Sequence, residues 1–137
     1  MAEPLFASVH HLAVICSDYA RSKQFYVEIL GFPVVRETYR AERSSHKLDL
    51  EIAPGTCLEL FSFPEPPARP TQPEACGLRH LAFGTPAFDR VLSELARRGV
   101  ALEPVRVDEA TGSRFTFFAD PDGLPIEVCE RDAAGPA

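Results

Sequence analysis

Leu48, Leu50 and Ile52 alternate with Lys47, Asp49 and Glu51, the period-two pattern of a strand with one buried face. Residues 9–16, 33–39 and 57–63 read as further short apolar strands. Between the first two, Phe25, Tyr26, Ile29 and Leu30 form a stripe at helical spacing. Asp18 stands where that helix needs an N-cap, and Gly31 where it needs a left-handed stop. Pro54-Gly55 marks a turn before the last strand. The first half of the chain therefore predicts strand, helix, then three strands.

The second half predicts the same order. Residues 78–84 form a strand, Thr85 caps a helix with Pro86 at its first position, and Phe88, Val91, Leu92 and Leu95 make the buried stripe. Gly99 stops the helix, and residues 101–107, 114–119 and 125–130 supply three strands. Asp120-Pro121-Asp122-Gly123 is a tight turn between the last two.

The halves also match residue by residue. His11-Leu12-Ala13 recurs as His80-Leu81-Ala82, an offset of 69 residues, and Leu58-Glu59-Leu60 recurs as Ile126-Glu127-Val128, an offset of 68. Two separate anchors at nearly one offset define two modules, 7–63 and 78–131. Five prolines within residues 64–77 stiffen the connector between them. The expectation is one α+β domain over residues 1–137, built from two βαβββ modules forming a curved mixed sheet.

Composition narrows the functional classes. The chain has 137 residues, 45% hydrophobic and 25% charged, with a net charge of −6. An acidic chain is a poor match for a phosphate backbone, so no nucleic-acid partner is expected. The longest clean apolar run, residues 12–16, is far short of a membrane span, and residues 1–8 show no basic patch ahead of a long apolar stretch. No membrane association and a cytoplasmic location are therefore expected. The four cysteines at 16, 57, 76 and 129 contain no C-x-x-C pair, which removes the usual zinc-knuckle and thioredoxin readings. Cys16, Cys57 and Cys129 read as buried free thiols.

Four residues placed alike by the repeat carry the candidate chemistry: His11, Glu59, His80 and Glu127. Glutamate is rarely buried unless paired, and each of these lies between apolar neighbours in a strand. Alternation turns Glu59 away from Leu58 and Leu60, toward a compensating charge or a wet cavity. Two imidazoles and two carboxylates related by a pseudo-twofold suit one divalent cation. Zinc or nickel is favoured, with manganese, cobalt and iron also compatible. Four such ligands leave about two positions of a six-coordinate ion for substrate oxygens.

Several other residues are weaker candidates. His10 follows the opposite face of the strand from His11 and has Arg79 as its counterpart. His46 and Glu51 read as solvated. Lys47 and Arg114 open what look like equivalent strands and are candidates to grip an acidic substrate. Arg97 and Arg98 suit a helix C-terminus.

The His-Leu-Ala openings, Phe25-Tyr26 with Leu30-Gly31-Phe32, Leu58-Glu59-Leu60, and Phe118-Ala119-Asp120-Pro121-Asp122-Gly123 before Ile126-Glu127 resemble the vicinal oxygen chelate superfamily, in particular its glyoxalase I type (lactoylglutathione lyase). The resemblance spans residues 9–130. It implies paired βαβββ modules around a metal, with His11, Glu59, His80 and Glu127 as ligands. It also implies a homodimer in which the first module of one chain meets the second of the other. A small-molecule substrate would chelate through vicinal oxygens, with Glu127 the proton-transfer group and Glu59 its counterpart. Glyoxalase I carries an Arg four residues after its first ligand and an Asn four after its second, both for glutathione. Here Ile15 and Phe63 stand there, so efficient use of glutathione adducts is not expected. Two other activities of the fold remain alternatives: an iron extradiol-type dioxygenase, and a non-catalytic binding module of the bleomycin-resistance kind.

Overall fold

The computed structural model describes residues 2–132. The chain divides between Ala68 and Arg69 into two compact units. The first contains β1 (His11–Cys16), α1 (Tyr19–Gln24), β2 (Val34–Arg40), β3 (Ser45–Ala53) and β4 (Thr56–Ser62). The second contains β5 (Leu81–Thr85), α2 (Phe88–Arg97), β6 (Arg106–Val107), β7 (Arg114–Ala119) and β8 (Pro125–Glu130). Each unit holds one four-stranded mixed sheet, ordered β1-β4-β3-β2 in the first and β5-β8-β7-β6 in the second. The first and last strands of each unit pair in parallel, and the remaining pairs are antiparallel. The βαβββ order expected for both halves is thus present.

Alternation divides each sheet into two faces. Leu48, Leu50, Leu58 and Leu60 are fully buried, as is Tyr26 from the helical segment. In the second unit Ile126 and Thr116 are fully buried, beside Phe118 and Val128 and with Phe88 and Leu95 of α2. These residues form the helix-covered face of each sheet. Their neighbours along the strands, including His11, Ile15, Glu59 and Glu127, take the opposite face. Ile15 is 54% exposed there.

The local chemistry follows the sequence in several places. Asp18 caps α1, its carboxylate accepting from the Arg21 N–H at 3.1 Å. Past Gln24 the helix widens into a π turn over Phe25–Ile29, closed by the Leu30 N–H on the Phe25 carbonyl. Gly31 and Gly99 take φ of +81° and +86°, the left-handed region expected after each helix. Asp120 organises the last turn, its Oδ1 accepting from the N–H groups of Asp122 and Leu124, both at 2.9 Å.

Several boundaries differ from the sequence expectation; β1, for example, starts at His11 rather than 9. β5 starts at Leu81 rather than 78, because Leu78 and Arg79 give their carbonyls to the Arg69 guanidinium at 2.8 and 2.9 Å. β6 shrinks to Arg106–Val107 from the expected 101–107. Pro104 has no N–H to offer a ladder, and Glu103 instead gives its N–H to the Phe117 carbonyl and accepts from the Thr116 hydroxyl. Thr85 belongs to β5, and Ala87 is the N-cap of α2. The Thr85 hydroxyl accepts from the Ala87 N–H at 3.0 Å, which leaves Pro86 outside the helix.

Leu58 lies on the central strand β4, flanked by β1 and β3 and fully buried. Leu58→Ala should lower unfolding stability by about 2–5 kcal/mol, measured as a shift in urea midpoint at unchanged slope.

Candidate metal centre

In the first unit, β1 and β4 run parallel with His11 opposite Cys57 and Ala13 opposite Glu59. That register makes His11 and Glu59 diagonal neighbours on the open face. His11 Nε2 stands 3.6 Å from Glu59 Oε2. The other ring nitrogen of His11 meets His10 Nδ1 at 2.8 Å. With His11 Nδ1 as the donor in that contact, Nε2 keeps its lone pair toward the carboxylate. His10, given no role by the alternation argument, therefore orients its neighbour's ring.

The second unit repeats the arrangement with its own register. Glu127 lies opposite Ala82 on β5 and opposite Phe117 on β7. His80, just ahead of β5, places Nε2 3.0 Å from Glu127 Oε1. Its ring meets the Phe117 ring edge-on at 5.1 Å, and the Arg106 guanidinium lies over both Phe115 and Phe117. A cavity of about 430 Å³ opens beside this pair, between the segment containing Arg79 and His80 on one side and Glu103, Arg106, Phe117 and Pro125 on the other.

These pairs fit a divalent cation. Two donors about 2.1 Å from one ion stand about 3.0 Å apart at a right angle and about 3.4 Å apart at the tetrahedral angle. The observed separations of 3.0 and 3.6 Å lie close to that range. Each glutamate side chain is only 16% exposed, and imidazole nitrogen with carboxylate oxygen suits a first-row transition ion. Each unit brings two of the four sequence-predicted ligands together. Among the described residues, no group of three or more His, Cys, Asp or Glu side chains forms a metal-binding cluster.

The neighbours of the two glutamates differ. Asp49 lies directly opposite Glu59 on β3, and Lys47 opposite Phe61. Lys47 Nζ is 3.4 Å from Asp49 Oδ1 and 3.8 Å from Glu59 Oε2. In the second unit the register puts Phe117 where Asp49 stands and Phe115 where Lys47 stands.

Arg114 is not equivalent to Lys47. It falls on the helix-covered face, where its guanidinium binds Asp89 and Glu130 at 2.7–3.3 Å and covers the Phe88 ring. It is a structural tie rather than a substrate grip. His46 is likewise not a solvated strand end. It stacks on Tyr19 with centroids 4.2 Å apart, packs against Tyr39, and approaches the Ser62 hydroxyl at 3.2 Å. Glu51 is exposed, as expected. Cys16 is buried and Cys57 and Cys129 are half-buried, so only the first matches a fully enclosed thiol. Burial, followed by the Glu127 charge, pushes the Cys129 thiol up to about 11, which keeps it protonated and unreactive near neutrality. Phe63 stacks on Phe61 at 5.9 Å, and Arg43 lies over the Phe63 ring.

The Arg114 side chain holds the Glu130 carboxyl below the usual carboxylate range, chiefly through its side-chain hydrogen bonds. A depressed folded pKa contributes stability above the unfolded value of about 4.3, and that contribution is lost as pH falls through the folded value. Arg114→Met should therefore destabilise the protein at pH 7, with the deficit closing on acidification below about pH 4. Thermal melts across pH check this, and divalent-metal uptake should be unchanged.

Known proteins share this architecture over nearly their whole length. The uncharacterized protein YwkD of Bacillus subtilis (strain 168) is 57% identical over 127 residues, covering 93% of this chain and 99% of the relative. The uncharacterized protein YaeR of Escherichia coli (strain K12) is 54% identical over 123 residues, covering 90% and 95%. A crystal structure of a glyoxalase family protein from Enterococcus faecalis superposes with a TM-score of 0.86 at 48% identity, covering 93% of this chain and all of the other. The family model that describes the Glyoxalase/Bleomycin resistance protein/Dioxygenase superfamily matches residues 8–128. The chain belongs to that superfamily.

Proposed function

We propose that this protein is a metal-dependent, glyoxalase-like enzyme of the lyase or isomerase type, acting on a small substrate that chelates through neighbouring oxygens. The observation that carries this reading is the pair of repeat-matched His–Glu contacts, at 3.6 and 3.0 Å, on the open faces of two like sheets. His11, Glu59, His80 and Glu127 would hold one divalent ion, zinc or nickel before manganese, cobalt or iron.

Each unit supplies two ligands, so a complete set needs both. The fold's pairing habit and the Pro-stiffened connector favour a homodimer with two equivalent sites. In each site His11 and Glu59 of one subunit join His80 and Glu127 of the other.

A divalent ion bound there would act as a Lewis acid on a substrate carbonyl. The imidazoles hold position and take no part in proton transfer. Glu127 is the proton-transfer group: its carboxylate accepts a proton from one substrate carbon and returns it to the adjacent atom. Glu59 is its symmetric counterpart. The edge-on Phe117 ring packs against the His80 imidazole. Ile15 and Phe63 offer neither the cation nor the amide that glutathione requires, so efficient use of glutathione adducts is not expected.

Elemental analysis of the purified protein should find one divalent ion per set of four ligands, and His80→Ala should abolish its uptake. Absence of bound metal in the wild type, under saturating zinc or nickel, would overturn the reading in favour of a metal-free binding module. Glu127→Gln should keep a partly occupied metal site while turnover falls about 100-fold or more. Full activity in that variant would reject Glu127 as the base.

Sharing of sites between subunits has its own test. His11→Ala and His80→Ala chains each lack both complete sites. Mixed and re-paired, they should regain metal in about a quarter of all sites, because each heterodimer rebuilds one intact set. No recovery would place all four ligands in one chain.

A further inference from the structure

The ligands obey the repeat, but the residues beside them do not. Register equates Lys47 with Phe115 and Asp49 with Phe117. One glutamate thus faces an ammonium and a carboxylate, whereas the other faces aromatic rings. A pseudo-symmetric ligand set with unlike neighbours distinguishes the two ends of whatever binds on it.

Lys47 is anchored but not saturated. An ammonium has three donors, and charge-assisted N–H···O bonds run about 2.7–2.9 Å. The contacts of Lys47 with Asp49 and Glu59, at 3.4 and 3.8 Å, are both longer. Its side chain remains 30% exposed on the open face. Asp49 is only 13% exposed, and its Oδ1 is shut off from water without a hydrogen-bond partner. The carboxylate therefore fixes the ammonium electrostatically while leaving its N–H groups to bond elsewhere. Glu59, once engaged by a cation, offers Lys47 less.

We propose that Lys47, positioned by Asp49, is a substrate-binding residue that receives an anionic oxygen lying beyond the two chelating oxygens. The substrate class is then a small hydroxy- or oxo-acid bearing a further carboxylate. This rests on the metal-enzyme reading above.

Two probes isolate the contact. Glycolate chelates through a hydroxyl and one carboxylate, and tartronate does the same while carrying a second carboxylate. Calorimetric titration of both into metal-loaded wild type and Lys47→Met gives a ratio of affinities for each protein. Loss of a charge-assisted bond should lower the tartronate-to-glycolate ratio about tenfold or more in the variant, with metal content unchanged. Lys47→Gln, which keeps a polar head, is the second variant should Lys47→Met fail to fold. An unchanged ratio in a metal-loaded variant, including equal weakening of both probes, overturns the assignment of Lys47 and leaves the metal-enzyme reading standing. A wild type that takes up no metal overturns both.

Discussion

A glutamate sits in the middle of a strand whose immediate neighbours belong to the hydrophobic core, and the candidate site depends on that placement. Leu58 and Leu60 are fully buried on either side of Glu59, and Ile126 and Val128 flank Glu127 in the same way. Because successive side chains leave a strand on opposite faces, burying the apolar pair commits the carboxylate to the other face. A slip of one residue would drive the charge into the core. Core packing therefore fixes the register, and the register places the ligand. The parallel partner strand then brings a histidine within 3.6 Å in one unit and 3.0 Å in the other. Confining the carboxylate also makes it dependent on a counter-charge, which a divalent cation at the His–Glu pair would supply.

The repeat made the fold legible. His–Leu–Ala openings and Glu-centred strands recur at nearly one offset, and the helix stops at Gly31 and Gly99 take the backbone conformation their positions required. What was not legible lay in register across antiparallel strands. Lys47 looked equivalent to Arg114, an offset of 67 residues, whereas pairing gives Phe115 at 68. One residue of error moves a side chain to the opposite face, which is why Arg114 proved to be a tie between helix and sheet. His46 was misread for a related reason. Its partners, Tyr19, Tyr39 and Ser62, are set by how the strand ends turn and pack. Periodicity describes which face a residue takes, not what it meets there.

Short strands also ended where backbone groups found better partners. The Arg69 guanidinium takes two carbonyls ahead of β5, and the Thr116 hydroxyl takes another from the stretch before β6. Each bond satisfies an acceptor that a longer ladder would have used. The Arg69 interaction has a consequence for the site. It holds Leu78 and Arg79 in place immediately ahead of His80, so the chain enters the ligand position from a fixed direction beside the cavity.

Duplication gives this architecture two tasks that can be separated. The positions inside the core-flanked strands hold the proposed ligands, and a shift of register there would expose an apolar face or bury a charge. The positions one strand away on the same open face are freer, because a half-exposed side chain there carries little of the packing. In one unit those positions hold Lys47 and Asp49, and in the other Phe115 and Phe117. Ile15, on β1 with His11, and Phe63, just past the end of β4, are where this chain departs from the glutathione-using pattern. On the proposed reading, His11, Glu59, His80 and Glu127 carry ligand identity, and open-face positions around them carry substrate preference. On that reading, similarity across the Glu-centred strands reports a shared centre, while the substrate must be read from the open-face positions around it.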